Sequence, residues 1–173
     1  MPELTRHQIP RPEPRIPTCD NPLMSLISPA DQDKLREAFN EMTSRVRLLF
    51  FTQTLGCETC LQTRQILDEL PPLSDKIAIE EVNLVLEGEK AKQYGVDRVP
   101  AIAVVGEDGA EAPGVIKDSR IRFLGTPAGY EFISLIQAVL LVGGRKPSLT
   151  DANRQRLAAV NTPLTLQVFT TPT

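Results

Sequence analysis

The sequence predicts an α/β fold, a central mixed β-sheet flanked by helices, with part of a second unit following it. Three features carry that expectation. Apolar, β-favouring runs at 46–52 and 76–86 alternate with helical patterns at 57–70 and 87–94, an order that implies parallel pairing. Runs at 101–105 and 120–124, with a turn signal between them, read as an antiparallel hairpin. A last helical pattern then closes the unit at Gly143-Gly144.

Composition bounds the rest. The chain has 173 residues, 41% hydrophobic and 24% charged, which suits one compact domain or one domain plus part of a second. Six prolines fall within the first 22 residues, so residues 1–22 read as a disordered or extended arm, and His7 and Cys19 as solvated tail residues. No apolar run approaches the roughly 18 residues needed to span a bilayer, and the N-terminus lacks the uninterrupted apolar stretch of a signal peptide, so a cytoplasmic protein is expected. A net charge of -3 with the two signs interspersed leaves no footprint for nucleic acid or a membrane surface. No glycine-rich phosphate loop is present, and no nucleotide or other cofactor is expected.

Each element follows from local signals. Ser28 as cap and Pro29 at the first helical position open a helix over 29–44, with Leu35, Ala38, Phe39 and Met42 on one face. The strand at 46–52 lacks alternation in its inner part, as expected of a central strand covered on both faces. After a loop at 53–56, a helix runs from Cys57 to about Leu70 with Leu61, Ile66, Leu67 and Leu70 inward, stopped by Pro71-Pro72. The strand at 76–86 presents Ile77, Ile79, Val82 and Leu84, and the helix at 87–94 ends at Gly95. The hairpin turns at Glu107-Asp108-Gly109, with Pro113-Gly114 in the loop before its second strand. Thr126-Pro127 opens the last helix, which runs through Tyr130, Phe132, Ile133, Ile136, Val139 and Leu140. Phe50, Phe51, Phe123, Tyr130 and Phe132 are read as core or core-edge residues. Beyond a linker at 145–147, a helix at 150–160 and an apolar strand at 164–169 repeat the opening elements, Leu-Gln-Val-Phe-Thr echoing Leu-Leu-Phe-Phe-Thr.

The chemistry concentrates in Cys57-Glu58-Thr59-Cys60. Cysteines three apart at the head of a helix share one face within disulfide range. The free N–H groups and partial positive charge of a helix end favour a thiolate on Cys57 as the attacking sulfur, and Cys60, one turn further in, is then the resolving thiol. The Glu58 carboxylate opposes that thiolate by on the order of 1 kcal/mol, against roughly 0.3 to 1 kcal/mol from the helix end. The Cys57 pKa is therefore expected only modestly below the free-thiol value of roughly 8.5, which suits a reductant or exchange catalyst better than a strong oxidant. The same spacing is half a zinc site, but only His7 and Cys19 remain as further ligands, which weighs against metal. Two buried structural cysteines are the third reading, and a position between strand and helix weighs against it.

These residues resemble the glutaredoxin-like protein disulfide oxidoreductases, which consist of two tandem thioredoxin-fold units. The resemblance runs from about Leu23 onward. It rests on Leu26-Ile27-Ser28 ahead of the first helix, the Cys57 to Cys60 motif, Val99-Pro100 ahead of the hairpin, and Phe123-Leu124-Gly125-Thr126-Pro127-Ala128-Gly129-Tyr130-Glu131-Phe132. It implies a thioredoxin-like unit over 23–144, a cis peptide at Pro100 looking out on the dithiol, and a Val99 backbone that pairs with the bound substrate chain. It also implies the mechanism: Cys57 attacks a protein disulfide, a mixed disulfide forms, Cys60 releases the product, and a thioredoxin-reductase-like or low-molecular-weight thiol donor restores the dithiol. Glu58, Thr59 and Arg98 are candidates to modulate that exchange. Two departures stand out. Thioredoxins proper carry a buried carboxylate where this chain has Phe51 and a tryptophan where it has Gly56, and residues 145–173 look like the linker, helix and first strand of a truncated second unit. Alternatives are a glutaredoxin-like reduction of glutathione mixed disulfides and a non-catalytic interaction module.

Overall fold

Arg45–Thr52 forms β1, and seven of its eight residues are partly or fully buried because it lies inside the sheet. In this computed structural model, which describes residues 25–108 and 115–170, β1 pairs in parallel with β2 (Ile77–Asn83) and antiparallel with β3 (Ala101–Asp108). β3 pairs antiparallel with β4 (Val115–Leu124), giving the order β2-β1-β3-β4. The mixed sheet, the parallel first pair and the antiparallel hairpin are as the sequence predicts.

The period-two geometry of β1 divides the core. Val46, Leu48 and Phe50 face the helices α1 (Pro29–Asn40), α2 (Cys60–Asp68) and α4 (Tyr130–Val142), meeting Phe39, Leu67, Leu135 and Val139. Leu49 and Phe51 face the other side, where α3 (Gly88–Gln93) and the turn after it supply Ala91, Tyr94 and Val96. The proline-rich arm with His7 and Cys19, and the loop holding Pro113-Gly114, lie outside the described residues.

Several boundaries differ from expectation, each for a visible reason. α1 ends at Asn40 because the backbone N–H groups of Thr43 and Ser44 donate to the Gly143 carbonyl at 2.8 and 3.1 Å, drawing the chain toward the end of α4. β2 stops at Asn83, whose side-chain oxygen accepts from the Val85 and Leu86 N–H groups, both at 3.0 Å, and turns the chain. β4 begins at Val115, so Glu107 and Asp108 pair within the ladder instead of turning. Its middle, Lys117 to Arg120, is polar, and a bulge at Ser119 and Arg120, where Arg120 adopts φ 63°, breaks the pattern that marks a strand.

α4 opens at Tyr130, three residues after the Pro127 expected at its first position, since Gly125 and Gly129 hold φ of 113° and 58° and the segment between them is irregular. Tyr130, read as a core or core-edge residue, is 80% exposed, because the buried stripe of α4 starts at Leu135. The helix expected at 150–160 is α5 (Asp151–Ala158), which buries nothing. Residues 164–169 form no strand: with no neighbouring strand among the described residues to accept its ladder, this stretch is irregular, and Leu166 and Phe169 are each 89% exposed. None of the described helices is long and apolar enough to cross a membrane.

Candidate active site

β1 delivers the chain at Thr52 into a short loop whose tightest point is Gly56, at φ 75°. A side chain there would be strained in φ and would meet the Gln53 amide at 3.3 Å, so glycine suits the turn. The loop ends in Cys57, Glu58 and Thr59, and α2 begins at Cys60. This corrects the expected placement of Cys57 as the first residue of the helix. Cys60 holds that position and Cys57 stands one turn ahead of it. The first helical N–H bond runs from Thr63 to the Thr59 carbonyl at 2.9 Å.

Cys57 and Cys60 are joined as a disulfide with their Cα atoms 5.5 Å apart. The Cys57 sulfur therefore still lies at the positive end of α2, although its backbone lies outside the helix. Cys60 is buried at 7% exposure, Cys57 is partly exposed, and Glu58 and Thr59 are exposed.

The second wall of the site comes from β3. The register Phe51↔Ala101 brings the residue before Ala101 to the end of β1 from which the dithiol loop departs. That residue is Pro100, buried and preceded by a cis peptide to Val99. Val99 is half-buried and packs against the apolar cluster that also contains Cys57 and Cys60. Arg98 is exposed, and its guanidinium Nε donates to the Asp97 carboxylate at 2.7 Å. That contact holds the Asp97 carboxyl below its usual range and raises the Arg98 guanidinium.

Phe51 is fully buried, its ring centroid 6.2 Å from that of Tyr94, so the strand before the motif has an aromatic pair where thioredoxins proper have a carboxylate. Leu61, expected inward, is 71% exposed. The inward position is taken by Thr63, which is fully buried and which the apolar pattern of the sequence does not reveal. A polar residue three places after Cys60, on the helix face shared with Ile66 and Leu67, was the available signal. Among the described residues, no three His, Cys, Asp or Glu side chains group so as to hold a metal ion.

No family model matches the chain. A probable thioredoxin from Methanothermobacter thermautotrophicus is 31% identical over 81 residues, which span 46% of this chain and 80% of that protein. A probable thioredoxin from Methanothermobacter marburgensis is 30% identical over 92 residues, spanning 53% and 92%. A stretch of 82 residues is also 35% identical to an NADH dehydrogenase from Ferdinandcohnia aciditolerans, of which this chain spans only 12%. Among solved structures, the NTD_N/C domain of the alkylhydroperoxide reductase AhpF from Enterococcus faecalis superposes with a TM-score of 0.66 at 26% identity, covering 77% of this chain and 60% of that one. A protein disulfide oxidoreductase from Aeropyrum pernix shares the fold with a TM-score of 0.61 at 24% identity, covering 76% and 54%.

Proposed function

This chain belongs to the thioredoxin family, and from that premise we propose that it is a thiol-disulfide oxidoreductase exchanging protein disulfides through Cys57 and Cys60. The observation that carries the reading is the closed disulfide at the head of α2, with one partly exposed sulfur and one buried one.

In the reduced protein the Cys57 thiolate attacks one sulfur of a substrate disulfide. A Cys57-substrate bond forms and the other substrate sulfur leaves as a thiolate. Cys60 then attacks the Cys57 sulfur, closing the Cys57–Cys60 disulfide and releasing the second substrate thiol. The substrate gains two electrons and the protein loses two. Val99 and Pro100 offer the edge against which the substrate chain lies, with Glu58, Thr59 and Arg98 around it. A donor, either a thioredoxin-reductase-like protein or two equivalents of a small thiol, returns the two electrons. The NADH dehydrogenase and AhpF likenesses support a reductase-type donor. The cytoplasm suits a dithiol that works as a reductant, because that compartment keeps thiols reduced. We read residues 23–144 as the working unit and residues 145–173 as the opening of a second one, supported by the sequence echo and by the exposed apolar side chains of Leu164, Leu166, Val168 and Phe169.

Reduction of insulin, with dithiothreitol as electron source, tests the activity. The wild-type chain is expected to accelerate precipitation of the insulin B chain and Cys57→Ser to match the background. Equal rates with and without Cys57 would overturn the proposal.

A further inference from the structure

We propose that the side chains of Thr63 and Thr126 form a positioning clasp, which sets the distance between the dithiol and the Val99–Pro100 edge for polypeptide substrates. The inference rests on the disulfide-exchange reading above and deepens it. Neither residue touches the reacting sulfurs in this role. They act by holding the two walls of the site together.

The hydrogen-bond path is continuous. The Pro100 carbonyl accepts from the Gly125 N–H at 2.9 Å, which extends the β3–β4 ladder one step past the Ala101↔Leu124 pair. Next along the chain, the Thr126 hydroxyl lies 2.8 Å from that of Thr63. Thr63 in turn donates its hydroxyl to the Thr59 carbonyl at 2.9 Å, the same oxygen that accepts the Thr63 N–H. Thr59 is bonded directly to Cys60. Two side chains and one backbone bond therefore link the cis-proline to the peptide that starts the dithiol helix.

Donor counting separates a clasp from an ordinary core contact. A hydroxyl buried as deeply as that of Thr63 needs a partner, and it finds one within its own helix in the Thr59 carbonyl. With the Thr63 proton committed there, Thr126 is the donor between the two hydroxyls. That bond is not needed to satisfy Thr63, and its consequence is to tie the segment after β4 to α2. The segment has no ladder or helix of its own between Gly125 and Gly129, and the Thr126 hydroxyl ties it to α2 beside the buried Pro127. A polypeptide disulfide must meet Cys57 and the Val99–Pro100 edge together, whereas a small disulfide needs only the sulfur. The clasp therefore matters chiefly to the larger substrate.

Thr126→Val removes the hydroxyl at nearly constant volume and Thr126→Ser keeps it. For each, kcat and KM are measured with insulin and with 5,5′-dithiobis(2-nitrobenzoate), and circular dichroism melts confirm folding. Thr126→Val is expected to lower kcat/KM for insulin by about tenfold, mostly through KM, so that the ratio of insulin to small-disulfide efficiency also falls. Thr126→Ser is expected to stay within about twofold of wild type on that ratio, and Thr63→Val to reproduce the Thr126→Val profile. An unchanged ratio in Thr126→Val, whether both efficiencies fall together or neither falls, overturns the clasp. Wild-type inactivity toward insulin would instead overturn the exchange reading beneath it.

Discussion

Cys57 and Cys60 share one disulfide but not one environment: Cys60 is buried at 7% exposure in the main apolar cluster, whereas Cys57 is partly exposed at its edge. In the proposed exchange the more exposed sulfur is expected to meet an incoming disulfide first, which makes Cys57 the expected attacking residue and Cys60 the resolving one. Cys57→Ser is expected to bring insulin reduction down to the uncatalysed rate. Cys60→Ser is expected to accumulate a covalent adduct with its substrate, seen as an added mass that dithiothreitol removes. An adduct on the Cys57→Ser protein, or free turnover of the Cys60→Ser protein on insulin, would reverse the assignment.

Glu58 is exposed and one residue from the attacking sulfur, so its carboxylate works against the thiolate through solvent. At a few ångströms in water this repulsion is on the order of 1 kcal/mol, so Glu58→Gln is expected to lower the Cys57 pKa and to make the disulfide more oxidising. Thiolate absorbance of the reduced protein followed against pH measures it. An unchanged or raised value would refute the electrostatic argument.

The sheet and the dithiol were legible because their signals are local. The apolar run of β1, buried along nearly its whole length, carries no alternation, and the cysteine spacing and Val99-Pro100 mark the disulfide and the cis peptide that the register brings to one end of the sheet. What escaped depends on tertiary context. Cys57 precedes the helix because Thr59 supplies the first accepting carbonyl, which an apolar pattern cannot locate. Thr63 reads as a surface residue until Thr126 is brought to it from 63 positions away. The stretch at 164–169 has strand composition, but a strand exists only where another strand completes its ladder, and the described residues bring none to it.

Removal of residues 147–173 is expected to leave the melting temperature within about 2 °C of the full chain. Every described residue in that span is exposed, α5 buries none of its eight residues, and the Arg154 guanidinium bonds only to carbonyls of Pro147 and Leu149 in the same segment. A large drop on differential scanning calorimetry would mean that the segment supports the unit before it.

Acid stability is expected to depend on Glu80. Its carboxylate accepts from the Lys90 ammonium and, at 2.7 Å, from Arg47, which also pairs with Glu107 on the same face of the sheet. Lys90 foremost, then Arg47, holds the Glu80 carboxyl below its ordinary value against the opposing effect of burial. The Asp118 carboxyl is lowered in the same way by Arg122. With the folded value depressed, the unfolded chain binds the proton more readily. The stabilisation is thus fully present above the ordinary carboxylate range and is lost as pH falls through the folded value. Glu80→Gln removes the charge shared by two cations that are each no more than one-third exposed, and is expected to cost about 1 to 2 kcal/mol near pH 7. At low pH, below the folded Glu80 value, the wild-type carboxyl is itself neutral and the two proteins should converge, with Asp118 leaving some acid sensitivity in both. Urea midpoints at the two pH values test this, and a deficit as large at low pH as at neutral pH would show that Glu80 stabilises by packing and not by its charge.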